Sequence, residues 1–142
     1  MKIRVATDIQ APRAVVWGLL ADVGGIARWN TGLTGSRIIA GPSQGEGAER
    51  ACLAGRVELR ERVERWEPEK ALGLRWTKLP MPGIGGRFAF LLGDAPGGGT
   101  QVVVEASTTG PLAWLWHRTF KRALSNVLRD LKAAAEAPME AF

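Results

Sequence analysis

Tyrosine is absent from the sequence, and cysteine and histidine occur once each, as Cys52 and His117. These scarcities remove whole classes of chemistry. A single cysteine admits no intramolecular disulfide and no multi-cysteine zinc site. A single histidine admits no multi-histidine metal centre, and any Ser-His-Asp or Cys-His arrangement has to use His117. Without tyrosine there is no phenol for acid–base work. The aromatic set is six Trp and four Phe, which supplies apolar area and indole N–H donors. No stretch approaches the roughly 20 apolar residues of a membrane span, and the opening MKIRVATDIQ lacks the apolar core of a secretory signal. A cytoplasmic protein without stable membrane insertion is therefore expected. The net charge is +5, yet no basic run exceeds two residues. Such a charge reads as a solvated surface, and no nucleic-acid partner is expected. Neither a cofactor nor a metal is expected.

What is present describes one globular domain spanning 1–142. With 46% hydrophobic and 23% charged residues, a chain of this length buries about two thirds of its unfolded surface without a metal or disulfide. The clearest periodicity runs from Pro111 to Glu136. At 100° per residue, Leu112, Trp116, Phe120, Ala123, Leu124, Val127, Leu131 and Ala134 share one face. Arg118, Lys121, Arg122, Ser125, Arg129 and Lys132 share the other. Pro111 suits a first helical turn. A helix of about 39 Å at 1.5 Å per residue with a single apolar stripe requires a broad apolar partner.

The rest of the chain supplies one. Lys2 to Asp8 alternates as a half-buried strand, and Pro12 opens a helical segment, APRAVVWGLLADV, which Gly24-Gly25 breaks. A short second helix over Ile26–Asn30 follows. From Leu33 onward short runs alternate with turn clusters (GPSQGEG, EPEK, PMPGIGG, GDAPGGG), giving strands over 33–40, 48–53, 56–66, 72–78, 87–92 and 100–107. This is an antiparallel meander. Such a sheet twists and curls, and a straight helix laid across it leaves a gap that serves as a ligand pocket.

Four segments in this order, APRAVVWGLLADVGGIARWN, LRERVERWEPEKALGLRW, GGGTQVVVE and LSNVLRDLKAAAEA, resemble the SRPBCC superfamily. That group includes birch-pollen-allergen-like, START and polyketide cyclase/dehydrase proteins. The resemblance covers about Lys2 to Ala137. It implies an α+β helix-grip fold: a curved seven-stranded antiparallel sheet wrapped around a long C-terminal helix, with two short helices after the first strand and a hydrophobic cavity between. It implies no single activity, since such a fold carries binders, cyclases and activators alike.

Candidate site residues follow from the strand faces. Val57, Leu59, Glu61 and Val63 share a face opposite Arg56, Glu58, Arg60, Arg62 and Glu64, which places the Glu61 carboxylate amid apolar neighbours. An isolated buried carboxylate serves as a general acid or base; the alternatives are a bulge that turns it outward, or a buried Arg or backbone amide that satisfies it. Leu59, Phe88 and Phe90 face the interior, with Trp116 and Phe120 opposite on the long helix. Trp76 shares a strand face with Leu72 and Leu74, and Trp29 sits in the segment that caps the gap in this fold. These are the expected ligand-contacting residues. Trp17 and Trp66 read as core and His117 as a boundary residue; Trp114, beside Arg118 and Lys121, reads as covered by a neighbouring loop, the alternative being a basic helix face that touches anionic membrane or a partner. The loop 80–86 serves as a gate or as an ordinary hairpin connection. The function expected is binding of a small hydrophobic or aromatic ligand, with polyketide cyclase/dehydrase-like activity through Glu61 as its enzymatic form. A non-enzymatic lipid or quinone carrier and a protein-interaction module are the alternatives, and an exposed edge strand leaves a homodimer open.

Overall fold

The computed structural model describes residues 1–138. In chain order the elements are β1 (Lys2–Ile9), α1 (Arg13–Ala21), a 3-10 helix (Val23–Arg28), β2 (Gly35–Ala40), β3 (Glu49–Ala54), β4 (Val57–Glu67), β5 (Ala71–Lys78), β6 (Gly85–Asp94), β7 (Thr100–Thr109) and α2 (Ala113–Glu136). All seven strands form one antiparallel sheet in the order β1-β7-β6-β5-β4-β3-β2. Strands β2 to β7 are thus successive hairpins, and β1 closes on β7 at the far edge. This is the helix-grip arrangement.

Alternation decides which side chains enter the core. Ile3 and Ile9 of β1, Val102, Val104 and Ala106 of β7, and Phe88, Phe90 and Leu92 of β6 are all buried on the face that α2 covers. From α2, Phe120, Leu124, Leu128 and Leu131 descend onto them. Trp17 of α1 meets Trp66 of β4 edge-to-face, with ring centroids 5.1 Å apart. On the outer face Glu64 draws Arg75 to 3.1 Å and Arg87 to 3.7 Å, the cross-strand pairing that a solvated strand surface favours.

Two register shifts in the β4–β5 ladder, at Arg60/Glu61 and at Val63/Arg65, bend the sheet where it must curl. Against this curved surface α2 lies close to β1 and β7. The 3-10 helix packs instead on β2 and β3. Between these two coverings, the inner faces of β3 to β6 are left with space above them.

Three expectations change. Pro111 lies in the turn before α2, which starts at Ala113 after Gly110 turns the chain with φ +107°. Ala123 is exposed, and Leu128 takes the buried place. Gly24 and Gly25 do not break a helix; they belong to the 3-10 helix. A Cβ at Gly25 would fall 2.0 Å from Asp22 Oδ2, so the Asp22 side chain, which folds back over Gly25, would have to turn away.

Candidate functional site

The β3–β4 hairpin sets the site. Its turn is Gly55-Arg56, with Gly55 at φ +65°, and Ala54 pairs with Val57 across it. Counting back along the ladder brings Cys52 opposite Leu59 and Arg50 opposite Glu61. On the next ladder Glu61 faces Trp76. Arg50, Glu61 and Trp76 therefore form one row across three strands, on the inner face.

Glu61 is buried and held from several sides. Arg50 donates from Nε to Oε1 at 2.8 Å, and its Nη2 makes an ion-pair contact with the same oxygen at 2.8 Å. Trp76 donates its indole N–H to Oε2 at 3.1 Å. Arg50 Nη1 also reaches the Val23 carbonyl at 3.2 Å, which ties the row to the start of the 3-10 helix. The side chains of Arg50 and Glu61 are 2% and 8% exposed, so the pair sits where its partners, and not water, must satisfy it. The Cys52 thiol completes the cluster, donating to Glu61 Oε1 at 3.8 Å. Burial foremost, then the Glu61 charge, pushes its pKa from an ordinary 9.0 up to about 12. A thiol in that state is a weak hydrogen-bond donor, not a nucleophile.

Above this row lies a cavity of about 390 Å³. Leu59, Glu61, Trp76, Phe88, Phe90 and Phe120 all line it. Trp76 stands 4.8 Å from Phe88 and 5.0 Å from Phe120 between ring centroids, so one aromatic wall runs from sheet to helix. Leu124 and Val127 of α2, Ile26 of the 3-10 helix, and Leu79 and Met81 after β5 extend the apolar lining. At the rim, Asp130 accepts the Thr31 backbone N–H and the Thr31 hydroxyl, both at 2.9 Å. Asn30 Oδ1 accepts the Gly32 N–H at 3.0 Å. These bonds fix the segment between the 3-10 helix and β2 against α2.

Trp29 and Trp116 do not line the cavity. Trp29 follows the 3-10 helix and turns into the core at 8% exposure, its indole N–H without a partner. Trp116 packs, partly buried, one turn before Phe120. His117 is half-buried and in no ion pair among the described residues, with Nδ1 unpartnered. The expectation of a covered Trp114 is reversed, because the side chain is 66% exposed. Among the described residues no group of three or more His, Cys, Asp or Glu is placed to hold a metal ion.

Arg50, Cys52 and Asp130 are the site residues that sequence reasoning did not single out. Arg50 was within reach, since a two-residue turn at Gly55-Arg56 fixes the register that puts it opposite Glu61. Asp130 had no such signal, because its partner Thr31 is 99 residues away.

A family model described as polyketide cyclase / dehydrase and lipid transport matches residues 1–136. No curated protein matches the chain. Among solved structures, XoxI from Bacillus cereus is similar at 15% identity and TM-score 0.81, covering 94% of each chain. A protein from Nitrosospira multiformis is similar at 16% identity and TM-score 0.79, covering 96% of this chain and 97% of its own. Ara h 8.0201 is similar at 13% identity and TM-score 0.78, covering 95% of this chain and 97% of its own. At these identities the likeness is one of fold.

Proposed function

Because the chain belongs to the polyketide cyclase / dehydrase and lipid transport family, a member of the SRPBCC superfamily, we propose that its cavity binds a small apolar or aromatic molecule carrying one hydroxyl or phenol group. The observation that supports this most is the composition of the lining: aromatic and aliphatic walls around the buried polar row Arg50–Glu61–Trp76, with Asn30 and Asp130 already hydrogen-bonded at the rim. A ligand with the apolar area of one aromatic side chain, roughly 200 Å², gains about 5 kcal/mol from burial before the costs of association. The polar row then sets orientation. A carboxylate offers about four lone-pair sites, of which Oε1 uses its share on Arg50 and Oε2 accepts one bond from Trp76. One acceptor site remains on Oε2, suited to a ligand O–H.

The same arrangement favours binding over proton transfer. A general base must be able to leave its partners and take a proton, whereas Glu61 is clamped by Arg50 and the indole. Pocket shape and orientation are then the protein's contribution to any reaction of the bound molecule. Fluorescence titration with the neutral probe N-phenyl-1-naphthylamine tests the reading. Ala123 lines the cavity but is exposed, so Ala123→Trp fills the mouth without unpacking the core. Affinity is expected to fall at least tenfold, about 1.4 kcal/mol. Probe binding unchanged in this variant would place the ligand elsewhere. Glu61→Gln leaves apolar binding largely intact but weakens 1-naphthol relative to naphthalene, and equal affinities for those two compounds in the parent protein would remove the hydroxyl from the proposal.

A further inference from the structure

The first turns of α2 bury Ala113 and Phe120 against the protein but leave their other side open to solvent. Leu112, Trp114 and Leu115 are 37%, 66% and 52% exposed. Steps of 100° place Trp114, Arg118 and Lys121 within about 60° of one another around the helix, with Arg122 and Leu115 bordering them. All are exposed. Among the described residues, no carboxylate pairs with Arg118, Lys121 or Arg122. Trp114, Leu115 and three free cations thus share one helical surface, with exposed Leu112 just before it at the N-cap.

We propose that this surface docks the protein onto an anionic lipid bilayer. An indole held at the edge of the apolar layer suits the headgroup region, and nearby Lys and Arg are drawn by the negative surface potential of anionic lipid. The apolar side chains decide against a nucleic acid, whose phosphate backbone offers Leu112, Trp114 and Leu115 nothing apolar to meet. The charge decides against a second copy of the chain, because a two-fold contact brings the same three cations face to face. No helix among the described residues is long and apolar enough to cross a membrane, so the contact is interfacial.

The position of the surface gives the docking a purpose. Gly83 lies against Leu112 and Pro111, in the same β5–β6 connection that carries Met81 into the cavity lining. One turn beyond Leu115, Thr119 lines the cavity as well. Docking therefore brings the start of α2, and the β5–β6 connection packed on it, close to the bilayer, which shortens the path of an apolar ligand between bilayer and cavity. Trp114, Leu115 and the three cations lie outside the cavity lining, so loss of probe binding and loss of docking are separate results.

The test is flotation of the full chain with phosphatidylcholine vesicles, with and without phosphatidylserine. Binding is expected only with phosphatidylserine and is expected to weaken as salt rises. Each cation near such a surface is worth roughly a fivefold change in partition, so the triple variant Arg118→Gln/Lys121→Gln/Arg122→Gln loses on the order of a hundredfold. Trp114→Ser weakens partition while keeping its dependence on phosphatidylserine. All four residues are exposed, so circular dichroism and Tm are expected to match the parent. No flotation with phosphatidylserine, or equal flotation with both vesicles, overturns the proposal. A concentration-dependent dimer in sedimentation velocity that Trp114→Ser abolishes, without vesicle binding, overturns it in favour of self-association.

Discussion

Replacing Arg50 with Met leaves the Glu61 carboxylate buried without its guanidinium partner. A hydrogen bond from Nε and an ion-pair contact from Nη2, both at 2.8 Å, are lost from Oε1, and the remaining indole and thiol are weaker partners. Breaking one half of a buried ion pair costs about 3–5 kcal/mol. For a chain of this length about 4 °C of Tm accompanies each kcal/mol, so the variant is expected to melt about 12–20 °C below the parent. The double variant Arg50→Met/Glu61→Leu removes both charges. Apolar replacement of a buried pair is often neutral or better, but here Trp76 and Val23 lose partners worth about 1–3 kcal/mol each when unsatisfied. The double variant is therefore expected within about 2 kcal/mol of the parent, and more stable than Arg50→Met alone. Urea denaturation of the four proteins, read by far-ultraviolet circular dichroism, closes the cycle. The reasoning is refuted if the two single losses add in the double variant, or if Arg50→Met costs less than about 1 kcal/mol.

Two further outcomes follow from the same site. Cys52 has its folded pKa raised to about 12 from 9.0, so the stability it contributes is complete below pH 9 and is lost as pH rises from there toward 12. Between pH 9 and 10 the parent is expected to lose up to about 1.4 kcal/mol more than Cys52→Ala in urea unfolding, and parallel pH profiles would show that the thiol is not shielded. Asp130→Ala deletes both bonds to Thr31 at a cost of about 1.5–3 kcal/mol. Amide exchange at Thr31 and Gly32 is expected to accelerate selectively, and unchanged protection at Thr31 would remove Asp130 from the rim.

The strand plan was legible because turn clusters punctuate it, and the structure departs from the expected boundaries by only a residue or two at most ends. The inward position of Glu61 followed from period-two alternation against the charged residues around it. Its partner was harder to see, because a charged residue such as Arg50 is read as outward until the hairpin register is counted. The roles of Trp29, Trp114 and Trp116 depended on where α2 and the 3-10 helix settle against the sheet. That placement is a tertiary result of core packing, and indole rings are compatible with core, cavity wall and surface alike. The stripe on α2 gave the correct axis but not its rim, so Ala123 and Leu128 exchanged places and Asp130 went unnoticed.

The pairing of β1 with β7 carries a consequence for how the molecule is made. Lys2 lies opposite Ser107 and Ile9 opposite Thr100, so the earliest of the seven strands finds its sheet neighbour, among the described residues, in the latest of them. The hairpins from β2 to β7 form between sequence neighbours, whereas docking β1 closes a very long loop. That closure adds little entropy cost beyond a moderate loop but makes the late contacts non-local and slow. During translation Ile3, Val5 and Ile9 therefore wait unpaired while the meander grows, an apolar segment for a chaperone to shield. Because α2 rests chiefly on β1 and β7, the cavity acquires its helical wall only after that wait ends.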